Sequence, residues 1–156
     1  MPTTGAPRVW EDKFSFIVEI DGVAHAAFNK CSELSFEIDT VEYREGGRKN
    51  AYKSPGLVNF ADITLERGAV HDDSDLYDWA KDCASIVADA GVIETAFRRT
   101  LDIVALDRDG SVLKRWRLGS CWVKKFVAGD WDNNSSEKTI EQVVVVCDSF
   151  ERRTST

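Results

Sequence analysis

The stretch Phe14-Ser15-Phe16-Ile17-Val18-Glu19-Ile20-Asp21-Gly22-Val23 decides the fold class. Phe14, Phe16, Val18 and Ile20 alternate with Lys13, Ser15 and Glu19, and a period of two turns one face of an extended chain towards a core. Asp21-Gly22 suits the positive φ angles of a tight turn, so residues 23–28 return as the second strand of a hairpin.

The same alternation recurs outward from this hairpin. A third strand is expected near residues 34–43, with Leu34, Phe36 and Ile38 on one face and Ser35, Glu37 and Asp39 on the other. A polar segment with Gly46-Gly47 and Pro55-Gly56 follows, too long for a simple hairpin turn. It reads either as a mobile linker or as an extended arm that orders against a neighbour. A fourth strand is expected near 57–66. Asp72, Asp73 and Ser74 then offer N-cap oxygens to one helix, whose apolar stripe is Leu76, Trp79, Ala80, Cys83, Val87 and Ala90 and which stops at Gly91. Strand patterns resume at 100–105, 112–118 and 121–127, with a turn at 107–110. The last run, 139–150, is apolar on both faces, which predicts a central strand. The sum is a mainly β, single-domain sandwich or barrel of about eight strands with one α-helix. Residues 14–152 form that domain, between a loose amino-terminal tail (1–13) and a short carboxy-terminal one (153–156).

Composition narrows the function. The 156 residues carry 43% apolar and 30% charged side chains, the balance of a globular chain with one core. No run approaches the ~20 apolar residues of a membrane helix. Residues 1–10 lack the basic start and apolar run of a secretory signal, so export is expected only within a particle or after lysis. The net charge of −7 argues against a nucleic-acid surface, which gains affinity by displacing counterions with Lys and Arg. Arg98, Arg99, Lys114, Arg115 and Arg117 are read as a solvated or subunit-facing side.

Catalytic and metal signals are absent from the sequence. There is no glycine-rich phosphate loop, no G-x-S-x-G and no H-E-x-x-H. Cys31, Cys83, Cys121 and Cys147 lie far apart, and His25 and His71 lack ligand spacing, so four reduced, mostly buried thiols are expected. The carboxylates Asp72, Asp73, Asp75 and Asp78 are explained by helix capping. Trp79 is assigned to the core, whereas Trp10, Trp116, Trp122 and Trp131 fit a core or an interface equally. Neither catalysis nor a cofactor is expected.

The order of several short segments carries further information. These are 14–23, Phe28 with Cys31-Ser32-Glu33-Leu34, Val41-Glu42-Tyr43-Arg44-Glu45-Gly46-Gly47, Lys53-Ser54-Pro55-Gly56-Leu57 and Ile63-Thr64-Leu65-Glu66-Arg67-Gly68. Then come Asp75-Leu76-Tyr77-Asp78-Trp79, residues 107–110 with Arg115-Trp116, Trp122-Val123-Lys124-Lys125-Phe126 and Ile140-Glu141. As an ordered set spanning about 14–152, they resemble the tube proteins of contractile phage tails, typified by the T4 tail tube protein, and those of extracellular contractile injection systems. One departure is Cys147-Asp148, where the family often has His-Glu.

The resemblance implies a hexameric ring of β-sandwich subunits that stacks head to tail into a hollow inner tube. The implied partners are further copies of itself, a sheath protein and baseplate or spike proteins, with DNA or protein cargo passing the lumen without specific binding. It implies synthesis in the bacterial cytoplasm and assembly into a tail or released particle. It also implies that Tyr43, Arg44, Glu45, Gly46, Gly47, Lys53, Ser54, Pro55, Gly56 and Leu57 form an assembly arm at the subunit interface. Rival readings are a tube-initiator or baseplate-proximal paralogue, a type VI secretion ring protein, a small-ligand-binding β-barrel and a hydrolase.

Overall fold

A computed structural model describes residues 15–21, 23–26, 28–69, 74–88 and 97–153. Strands β1 (Ser15–Ile20) and β2 (Val23–Ala26) form the expected antiparallel hairpin, with Val18 opposite Ala26 and Ile20 opposite Val23. Val18 and Ile20 are buried and Glu19 is exposed, as the alternation requires. Phe14 and Gly22 lie outside the described residues.

The remaining strands are β3 (Lys30–Cys31), β4 (Phe36–Tyr43), β5 (Tyr52–Phe60), β6 (Ile63–Gly68), β7 (Arg99–Leu106), β8 (Val112–Val127), β9 (Ile140–Val146) and β10 (Ser149–Arg153). Eight of them make one sheet path, β2-β1-β7-β8-β9-β6-β3, with β10 pairing β8 beside it. All pairings are antiparallel and the path does not close, so the fold is an open sandwich rather than a barrel. Among the described residues, β4 and β5 pair only with each other.

Ten strands replace the expected eight or so because runs that are continuous in sequence break in space. The expected fourth strand, 57–66, divides at Ala61-Asp62 into β5 and β6, which belong to different sheets. The expected last strand divides at Cys147-Asp148. Conversely, 112–118 and 121–127 fuse into β8, which bends at Ser120 (φ 53°) and passes from β7 and β10 to β9. A strand that switches sheets through an irregularity is how the corner of a sandwich is made. Arg98 fastens this corner, donating to the Asp148 carboxylate at 3.1 Å and to the Ser120 carbonyl at 3.4 Å. β9 is central, between β8 and β6, but only one of its faces is fully covered: Val143 and Val145 are buried, while Val144 and Val146 are half-buried and Ile140 is exposed.

Helix α1 (Asp75–Ala88) begins after Ser74, whose carbonyl accepts the first helical bond from the Asp78 amide. Ser74 and Asp78 also join through their side chains at 3.2 Å. Asp72, Asp73, Ala90 and Gly91 lie outside the described residues. Leu76 and Trp79 are fully buried, while Asp78, Lys81 and Asp82 face water. The buried indole of Trp79 donates to the Phe97 carbonyl at 2.8 Å, which meets the polar demand of a large side chain in the core. Around it pack Ile63, Leu65, Leu101, Leu118, Cys121, Val143 and Val145.

Candidate assembly surface

β4 and β5 hold the residues that the sequence marks as an arm. Phe36 faces Phe60 and Tyr43 faces Tyr52, with Val41–Ser54 and Glu42–Lys53 between them. The register slips between Ile38 and Thr40, where Gly56 and Leu57 of β5 together oppose Asp39 of β4, a bulge in β5. Gly56 is one of the two bulge residues: a Cβ there would meet Val41 Cγ2 at 3.0 Å and the Asp39 carbonyl at 3.1 Å. Glycine accepts this approach without displacing its neighbours, whereas a side chain would push Val41 or the Asp39 carbonyl by a few tenths of an ångström. Pro55 is tolerated beside it because β5 is an edge strand.

Every residue of β4 is exposed, contrary to the core face expected from Phe36 and Ile38. The alternation is present, but among the described residues only the Phe150 ring, 5.9 Å from Phe36, packs against this strand from the body. Leu57 is 76% exposed, Tyr52 64%, Tyr43 62% and Phe36 54%; Val41, Val58 and Ile38 are also open. A two-stranded ribbon is only marginally stable on its own, and contiguous apolar surface on a soluble chain marks contact with something else. The arm implied by the resemblance includes Tyr43 and Leu57; the ribbon leaves Phe36, Ile38, Tyr52 and Val58 open beside them. Their signal is apolar residues on both faces of a Pro-containing hairpin.

The tip runs through Arg44, Glu45, Gly46 and Gly47. Gly47 has φ 92°, and Arg48 folds back on Glu45 with a 3.3 Å ion pair. Lys53 stands 3.8 Å from Glu42 across the strands. At the other end the ribbon is rooted by a cluster of tilted and edge-to-face rings: Phe36 to Phe60 at 5.8 Å, Phe60 to Phe150 at 5.2 Å and Phe150 to Trp116 at 5.9 Å. The arm is thus an ordered ribbon with a short loop, not a long linker.

The cations expected on one side are drawn to acids. Arg115 bonds Glu19 (2.8 Å) and Asp102 (2.9 Å), Arg117 bonds Asp102 at 2.9 and 3.1 Å, and Arg98 holds Asp148. Burial pushes the Asp102 carboxyl up, but the hydrogen bonds from Arg117 and Arg115 outweigh it and hold the group below its usual range. Arg99 lies over the Trp79 ring at 5.5 Å. Paired in this way, these groups offer little to a phosphate backbone.

Among the described residues, no group of three or more His, Cys, Asp or Glu is placed to hold a metal ion. No described helix is long and apolar enough to cross a membrane. The clefts at the ribbon's root and tip are shallow, about 350 and 330 Å³. His71 lies outside the described residues; His25 lies in β2.

An open sandwich with an uncovered apolar ribbon is the surface of a subunit that packs against another molecule. Residues 12–151 match the family model described as T4-like virus tail tube protein gp19, and the chain belongs to that family. Three solved structures share the fold. One is titled anti-feeding prophage cap, tube terminating cap (25% identity, TM-score 0.78, 96% of this chain and 95% of that one). Two come from the extracellular contractile injection system PVC. The sheath/tube terminator structure has 23% identity, a TM-score of 0.80 and coverage of 96% and 100%. The sheath-tube complex has 22% identity, a TM-score of 0.77 and coverage of 92% and 91%. Among curated protein sequences none matches.

Proposed function

We propose that this chain is a non-enzymatic subunit of the inner tube of a contractile tail or extracellular injection system, in which six copies close a ring and rings stack head to tail. The observation that carries the proposal is the uncovered ribbon β4–β5 with Tyr52, Leu57, Phe36 and Tyr43 in water. A heterologous contact of this kind, repeated by rotation and translation, closes rings and propagates them. Residues 43–57 are the assembly arm in this reading, and the exposed edges β2 and β3 pair with strands of neighbouring copies. One domain, 14–152, does this work, with 1–13 and 153–156 as tails. The sheath around the tube and a baseplate or spike at its end are the other partners, by likeness to the sheath-tube complex. Cargo or DNA passes through the lumen without specific binding, and the particle is built in the bacterial cytoplasm.

Light scattering on the purified protein, followed by negative-stain microscopy, tests this. Six-membered rings or hollow stacked tubes are expected. A monomer at every concentration, even when seeded with preformed tube ends, overturns it.

A second reading, a ring at the end of the tube, is favoured by likeness to structures titled as terminators. Copy number per purified particle separates the two: hundreds for the main tube, a single ring's worth for an end.

A further inference from the structure

The corner of the sandwich holds two cysteines in facing positions. Trp122 faces Val146 on one side of the break, and Gly119 faces Ser149 on the other. Between these pairs lie Ser120-Cys121 on one strand and Cys147-Asp148 on the other. The register is the same on both sides, so Cys121 stands opposite Cys147. The buried faces agree. Inward residues run Leu118, Cys121, Val123 along β8 and Phe150, Cys147, Val145 along its partner, each skipping the same extra residue at the bend. Both cysteines belong to the central core cluster, with Cys121 0% and Cys147 5% exposed.

We infer that Cys121 and Cys147 are a facing dithiol that a low-molecular-weight disulfide oxidises to an intrachain bridge, pinning the two sheets at their shared corner. Opposed residues of an antiparallel pair have Cα atoms about 4.5–5.5 Å apart, within the span a disulfide accepts. Their Cβ atoms need to approach by about 1 Å, which the bend at Ser120 can supply. Burial, and then the neighbouring Cys147, push the Cys121 thiol up to about 12. Burial likewise raises Cys147. The packed pair is therefore inert, and exchange proceeds when the corner opens.

Cys147, the more exposed, attacks the oxidant as its thiolate and expels one thiol, leaving a mixed disulfide. The Cys121 thiolate then displaces the second thiol. The two cysteine protons end on the two released thiols, and the oxidant's S–S bond is replaced by the protein's. Cys31 in β3 and Cys83 in α1, whose sulfur accepts the Val123 amide at 3.4 Å, have no such facing partner. A reducing cytosol keeps the pair open, and an oxidising exterior closes it.

The test equilibrates the full chain with mixtures of reduced and oxidised glutathione, both as the native protein and during refolding from urea. Free thiols are then alkylated and tryptic peptides are mapped. Expected is a linked pair, residues 118–124 joined to 139–152, lighter by two hydrogen atoms, in protein that keeps its native circular dichroism. Its melting temperature should rise by about 10 °C for a loop of this length. The substitution Cys121→Ser should remove both the link and the rise while leaving the fold. The inference is overturned if refolded native protein shows no more 121–147 linkage than random pairing of four cysteines, or if the linked form is not native.

Discussion

Leu57 offers the sharpest measurement of the ribbon's role. Its side chain is 76% exposed on β5, three residues from Phe60 in the ring cluster that roots the ribbon. Burying a whole leucine contributes ~1.5–3 kcal/mol, so covering the part now in water contributes about 1–2 kcal/mol per subunit. Each 1.4 kcal/mol is a factor of about ten in an equilibrium constant. Truncation by Leu57→Ala should therefore raise the subunit concentration at which tubes form by roughly five- to thirty-fold. Leu57→Asp, which adds the cost of burying a charge, should abolish assembly. The isolated subunit should hardly notice either change, because a substitution at so exposed a site shifts stability by about 0.5 kcal/mol or less. Pelleting across a dilution series, seeded with wild-type tube ends, gives the assembly threshold, and thermal melting of the unassembled subunit gives the control. Unchanged thresholds for both variants would refute the assignment of this ribbon to the interface. A fallen melting temperature in the subunit would instead locate Leu57 in the fold.

Three further outcomes are expected. Gly56→Val drives a side chain into Val41 and the Asp39 carbonyl, so the bulge must shift and tube formation should fail while the sandwich melts normally. Trp79→Phe leaves the Phe97 carbonyl without its buried donor and should cost about 1–3 kcal/mol in urea unfolding. Asp102 has a folded pKa below its unfolded value of about 3.9, so its stabilisation is complete above that value and is lost as the pH falls through the folded one. Asp102→Asn should cost about 1–3 kcal/mol at neutral pH and flatten the acid limb of a stability–pH curve; an unchanged limb would show that Arg115 and Arg117 gain nothing from the carboxylate.

Local chemistry made much of the fold legible. Val18 and Ile20 alternate into the core, and Leu76 and Trp79 mark the helix face, because period alone dictates these sides. Alternation could not say whether the body or another copy covers a face, so Phe36 and Ile38 read as core and stand in water. Nor could it find the sheet switches: Gly119-Ser120 reads as a gap between two strands although β8 runs through it, and Cys147-Asp148 lies inside an unbroken apolar run, shifting its phase by one residue. The buried Asp102 was hidden too, since its arginine partners arrive from another strand. The ordered segments singled out residues 43–57, with their ribbon geometry still unread.

Because β4 and β5, among the described residues, bond only to each other, the outer residues of the ribbon can change without disturbing the packing of the sandwich. With the ribbon as the assembly arm proposed above, drift at such positions is filtered by whether neighbours fit, not by whether the chain folds. Two duplicated genes sharing this body could therefore diverge in the ribbon alone and sort themselves within one cell, each copy recruiting its own kind into the growing particle.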